Sequence, residues 1–75
     1  MDWRKYITVD PAIMHGKACI TGTRVQVTTI LDNLAAGLTA EEIIASYPTV
    51  PLESIQATLL YAAELARESV APLAR

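Results

Sequence analysis

The sequence has one cysteine, Cys19, and one histidine, His15, among its 75 residues. A single cysteine closes no internal disulfide, so a reducing, cytoplasmic setting is expected. One Cys and one His fall short of the about four ligands that a structural zinc needs. Charged residues are 19% of the chain, yet apolar residues are 52%, which excludes an intrinsically disordered tail. No apolar run approaches the ~20 residues of a membrane helix, so no membrane contact is expected. A charged n-region followed by an apolar stretch is also missing, so no secretory leader is expected. Length sets a further limit, because a domain this small buries only about 60% of its unfolded surface. With no disulfide or metal to staple it, self-association or a partner chain is the first expectation.

Charge is segregated along the chain. Residues 1–24 hold Arg4, Lys5, Lys17 and Arg24 against Asp2 and Asp10, for +2. Residues 25–66 hold five carboxylates and neither Lys nor Arg, for −5. Arg67, Glu68 and Arg75 close the chain at +1. A net charge of −2 is wrong for a generic nucleic-acid binder. Phosphate contacts, if there are any, fall to Arg4, Lys5, Lys17 and Arg24.

The pattern predicts one domain over 1–75: a β element over 1–25, a tri-helical core over 27–70 and a frayed tail over 71–75. Trp3 to Val9 is rich in aromatic and β-branched residues and reads as a strand, ended by Asp10-Pro11. His15-Gly16 reads as a turn, Ala18 to Thr21 as a second strand, and Gly22 as a tight turn at positive φ. From Val27 the period becomes helical through Ile30, Leu31, Leu34 and Ala35, with Gly37 as the stop. Thr39-Ala40-Glu41-Glu42 is a capping box, stapled by Leu38 and Ile43. Pro48 ends that short helix. The last helix is expected from about Leu52 to Ser69, with Leu52, Ile55, Leu59, Ala62 and Ala66 on its core stripe. Leu60, Ala63 and Leu65 widen the apolar face beyond what one contact needs, so Leu59, Leu60, Ala63 and Leu65 are candidates for a dimer or partner contact. The fold class is mainly α: a short hairpin-like β element, then a three-helix, helix-turn-helix-like bundle.

No catalytic set emerges. On a strand, His15 and Cys19 are too far apart to pair, and no acid is placed to orient them. Adjacent Glu41 and Glu42 point in different directions and suit a helix N-terminus. Gly16-Lys17 and Gly22-Thr23 lack P-loop spacing. An enzyme is therefore the least expected class, and no cofactor is expected. If the last helix read DNA, its base contacts would be Ser54, Gln56 and Thr58, beside a repelling Glu53. Arg24, at the strand–helix junction, either pairs with Asp10, Asp32 or Glu42 or meets a carboxylate or phosphate of a partner.

Taken together, Ile7-Thr8-Val9-Asp10-Pro11, His15-Gly16-Lys17 through Gly22-Thr23-Arg24-Val25-Gln26-Val27, Leu34 to Ile44 and Tyr47-Pro48 closely resemble the domain-of-unknown-function-433 family. The matching positions include Gly16, Gly22, Thr23 and Arg24. The chain departs from the family pattern before the last helix, where Val50-Pro51-Leu52 stands. The resemblance implies a homeodomain-like helix-turn-helix with a small β element. It also implies an antitoxin of a type II, VapBC-like pair, whose partner is a PIN-like ribonuclease toxin from an adjacent gene. Such an antitoxin neutralises by direct contact, often as a homodimer, and often represses its own operator DNA. PIN-like nucleases resemble one another in an acidic metal pocket, and Arg24, Arg67 and Arg75 are the cations available to enter it. With the chain ending at Arg75, neutralisation is expected from the folded surface or the short tail. The alternative is a stand-alone dimeric helix-turn-helix transcriptional regulator. A plain adaptor is the third reading.

Overall fold

The computed structural model describes residues 1–69. Arg75 and the tail expected over 71–75 therefore lie outside the described residues. The protein is mainly α-helical: a two-strand antiparallel sheet precedes three helices. Strand β1 is Ile7–Thr8 and β2 is Cys19–Ile20, with Ile7 opposite Ile20 and Thr8 opposite Cys19. Helix α1 is Val27–Ala35, α2 is Ala40–Ser46 and α3 is Glu53–Ser69. Among the described residues no helix is long and apolar enough to cross a membrane.

The first strand is much shorter than its composition predicts. Trp3–Lys5 forms a 3-10 turn instead. Asp2 caps this turn by accepting the Arg4 N–H at 3.1 Å. The turn lets Trp3 meet Tyr61 of α3 edge-on, with ring centroids 5.0 Å apart. An aromatic contact of this kind gains about 0.5–1.5 kcal/mol beyond burial, which a continued strand would forgo.

The connection from β2 to α1 is built by the Gly-Thr-Arg motif. Gly22 takes φ +80, and a Cβ there would meet open space, so the requirement is conformational rather than steric. The Thr23 hydroxyl donates to the Ile20 carbonyl at 2.9 Å and accepts the Val25 N–H at 3.0 Å. Backbone bonds Ile20 N–H to Val25 O and Val27 N–H to Ala18 O complete the turn and deliver the chain into α1.

Helix ends follow local chemistry. Gly37, at φ +94, ends α1 as a Schellman motif. The Leu38 N–H reaches Asn33 O at 3.1 Å and the Gly37 N–H reaches Leu34 O at 3.0 Å. The capping box of α2 forms as read: Glu42 N–H to Thr39 Oγ1 at 3.1 Å and Thr39 N–H to Glu42 Oε1 at 2.8 Å.

One core joins the β element to the helices through Ile7, Ile20, Val27, Ile30, Ile43, Val50, Ile55 and Ala57. Helix α3 packs on the N-terminal turn, β1 and α1, while α2 packs on α1. The core side of α3 differs from the expected stripe. Ser54, Ile55, Ala57 and Thr58 are buried, whereas Leu52 is 53% exposed and Leu59 46% exposed. Small side chains let the helix axis come close to its neighbours, and the larger leucines then have no room inside.

Candidate functional site

Two shallow grooves flank β2. The first, about 430 Å³, lies where the C-terminal half of α3 runs past the body beneath it. Tyr61 and Leu65 sit three and seven residues after buried Thr58, so they continue the core-facing side of the helix. Ala18, Val27 and Leu31 form the opposite wall, and Lys17 stands on the rim. The groove is apolar because α3 carries its core face beyond the described residues that pack against it. Leu65 is accordingly 44% exposed.

The second groove, about 540 Å³, is more polar and opens between the Gly22 turn and the loop before β2. Arg24, Thr23 and Thr8 border it on one side, Ile13 and Met14 on the other. That loop holds three consecutive residues at positive φ: Met14 at 53, His15 at 57 and Gly16 at 81. The Gly16 N–H to Ile13 O and Lys17 N–H to Met14 O bonds close it as a left-handed turn. Only Gly16 takes that conformation cheaply; a non-glycine residue there costs about 1–2 kcal/mol. His15 is thus a turn residue, and Cys19 is a buried free thiol. Among the described residues no three His, Cys, Asp or Glu side chains gather as metal ligands.

The four basic residues expected to meet phosphate do not share one groove. Lys17 borders the first and Arg24 the second. Arg4 lies over the Trp3 ring at 4.7 Å and near Asp2 at 3.7 Å. Lys5 is exposed on the same N-terminal turn. Arg24 is exposed and forms no ion pair with Asp10, Asp32 or Glu42; the ion pairs among the described residues are Arg4–Asp2 and Arg67–Glu64, the latter at 2.9 Å.

The base-reading expectation for α3 changes most. Ser54 and Thr58 are fully buried, and neither hydroxyl has a hydrogen-bond partner among the described residues. At its start α3 offers solvent Leu52, Glu53 and Gln56: an apolar residue, an anion and one amide. That surface repels phosphate and leaves one of the three expected base contacts. The candidate contact residues fare differently. Leu59 and Leu65 are exposed, and Leu60 and Ala63 half-buried. Sequence reading missed the groove itself, because it depends on α3 outrunning the body. The one sequence signal for it was the breadth of the apolar face.

A small mainly helical domain with an open apolar groove and an exposed apolar helix face is the class that fold and surface define. The family model described as "Protein of unknown function (DUF433)" matches residues 7–62, and the chain belongs to that family. It is similar to "Uncharacterized protein y4eO" of Sinorhizobium fredii, at 32% identity over 59 residues, covering 79% of this chain and 27% of that protein. The chain thus spans about a quarter of that relative's length. It is also similar to the crystal structure of a DUF433 member from Anabaena variabilis. There the TM-score is 0.74 at 27% identity, covering 84% of this chain and 62% of that one.

Proposed function

We propose that this chain is a non-enzymatic binding module, the antitoxin of a type II pair, that docks on a PIN-like ribonuclease encoded beside it. The observation that supports this reading is the apolar groove under the overhang of α3, lined by Ala18, Val27, Leu31, Tyr61 and Leu65. A partner that fills it removes apolar surface from water at about 25 cal/mol per Å². Lys17 on the rim supplies a polar border of the kind that fixes orientation in an interface.

Inhibition in this reading comes from a cation placed in the acidic metal pocket, where it takes over part of the metal's charge. Arg24 carries that role. Its guanidinium is exposed on a turn held by two Thr23 hydrogen bonds and has no ion pair among the described residues. Arg67 already has the Glu64 carboxylate beside it, so part of its charge is offset before any partner arrives, whereas Arg24 has no ion pair among the described residues.

The test is to tag only the product of the adjacent reading frame, co-purify, and assay the complex for ribonuclease activity. The expected result is a defined-ratio complex that is inactive, and active once this chain is removed. Arg24→Glu is expected to restore nuclease activity while the two chains still co-elute. A neighbour with no nuclease activity, or two chains that never co-elute, overturns the reading.

A further inference from the structure

The solvent side of α3 carries a second pattern that the groove does not use. Leu52, immediately before the helix, and Gln56, Leu59, Ala63 and Ala66 within it follow one another in steps of four, three, four and three residues. On a helix of about 3.6 residues per turn these positions form one stripe, opposite buried Ala57 and Thr58. Leu52, Gln56, Leu59 and Ala66 are exposed and Ala63 is half-buried. Alternating steps of four and three make the seam of a two-helix coil, which needs a second helix to close it.

From this stripe and the charges beside it we infer that α3 pairs with α3 of a second copy, antiparallel, along its solvent face. Size complementarity sets the register: Leu59 of one helix faces Ala63 of the other, and Gln56 faces Ala66. Charge sets the direction. Glu53, in the first turn of α3, and Arg67, in its last, border the seam on the same side. In the antiparallel pair Glu53 of one copy lies beside Arg67 of the other, and two-fold symmetry makes that contact twice. A parallel pair leaves both charges without an opposite partner and sets two helix dipoles side by side in the same sense. Arg67 bonds Glu64 of its own helix at 2.9 Å, but its side chain is 68% exposed, so its remaining donors are open to a second carboxylate.

The face is modest. A 17-residue helix is about 25 Å long, which places the interface at the small end of specific contacts, below about 1,200 Å². Area does not by itself set affinity, so the test is centred on a dissociation constant of about 10 μM, the weak end of specific pairing. The inference concerns this chain alone and stands apart from the antitoxin reading, so the two fail separately.

Sedimentation equilibrium from about 1 to about 300 μM brackets that constant. The wild-type mass is expected to rise to twice the 8.1 kDa chain. Glu53→Arg and Arg67→Glu are each expected to weaken pairing about fivefold, and the double exchange to restore it. Leu59→Glu is expected to stay monomeric with unchanged helicity. A wild type that stays monomeric, a folded Leu59→Glu that still pairs, or a double exchange that fails to recover overturns the inference. The charge exchange keeps the test decisive should Leu59→Glu unfold.

Discussion

Replacing Thr58 by valine removes one oxygen from the centre of the protein and puts a methyl group in its place. Thr58 is fully buried on the core side of α3, and its hydroxyl has no partner among the described residues. Burying an unpaired hydroxyl costs about 1–3 kcal/mol. The added methyl gains about 0.8 kcal/mol. Threonine and valine have nearly equal helix propensity, so the helix itself contributes little to the difference. Thr58→Val is therefore expected to stabilise the fold by about 2 kcal/mol, which raises Tm by about 8–16 °C in a domain of this size. Urea unfolding followed by far-UV circular dichroism gives the midpoint, and an unchanged m-value shows that only stability has moved. A lower midpoint refutes the reasoning. It would mean that the hydroxyl is bonded, for instance to the carbonyl one turn back at Ser54, and that the close approach of α3 is held by that bond. Operator binding by the wild type that disappears in a more stable Thr58→Val would refute the burial argument from the other side.

Two further substitutions test the local devices of the fold. Thr39→Ala removes the Oγ1 acceptor of the Glu42 N–H but keeps the residue-39 backbone N–H that donates to Glu42, and is expected to cost about 1 kcal/mol, read as a lower urea midpoint together with faster amide exchange in α2. His15→Gly relieves a left-handed residue, and after the entropy that glycine loses on folding it is expected to stabilise by about 1 kcal/mol in the same assay. An unchanged or lower midpoint for His15→Gly would mean that the His15 side chain makes a contact worth more than the backbone strain.

The features legible in the sequence are those set by neighbours in the chain. Thr39 and Glu42 cap each other across three residues. Gly37 accepts the conformation that ends α1, and Gly22 with Thr23 closes the turn that leads into it. Each of these depends on a few adjacent atoms, so residue type is enough. The face of α3 was not legible for the opposite reason. Leucines recur at helical spacing on more than one side, and periodicity does not say which side meets the body. Packing decides it: buried Ser54, Ala57 and Thr58 are small enough for close approach, so the leucines at 52 and 59 are turned out. The shortened first strand has a similar cause, since the contact of Trp3 with Tyr61 joins residues that no local pattern links, while the Asp2 cap two residues before Arg4 is a local device that the β-rich composition masked. Met14 gives no compositional warning of positive φ, and His15 before Gly16 signals a turn but not its hand.

The two surfaces assigned to α3 differ enough in direction to be separated by mutation. At about 100° per residue, Leu59 and Leu65 lie about 120° apart around the helix. Leu65 closes the groove above Val27 and Leu31, and Leu59 lies on the outer stripe. Both are nearly half exposed, so a carboxylate at either position remains hydrated in the free chain and changes stability little. In a complex the same carboxylate replaces a side chain worth about 1.5–3 kcal/mol of burial, so affinity falls about 10-fold to 150-fold. Leu65→Glu is thus expected to lose the partner nuclease and keep self-association, and Leu59→Glu to do the reverse. Co-elution with the tagged neighbour measures the first and sedimentation the second. If either substitution abolishes both, docking and self-pairing share one face, and the division of α3 into a groove side and a seam side is wrong.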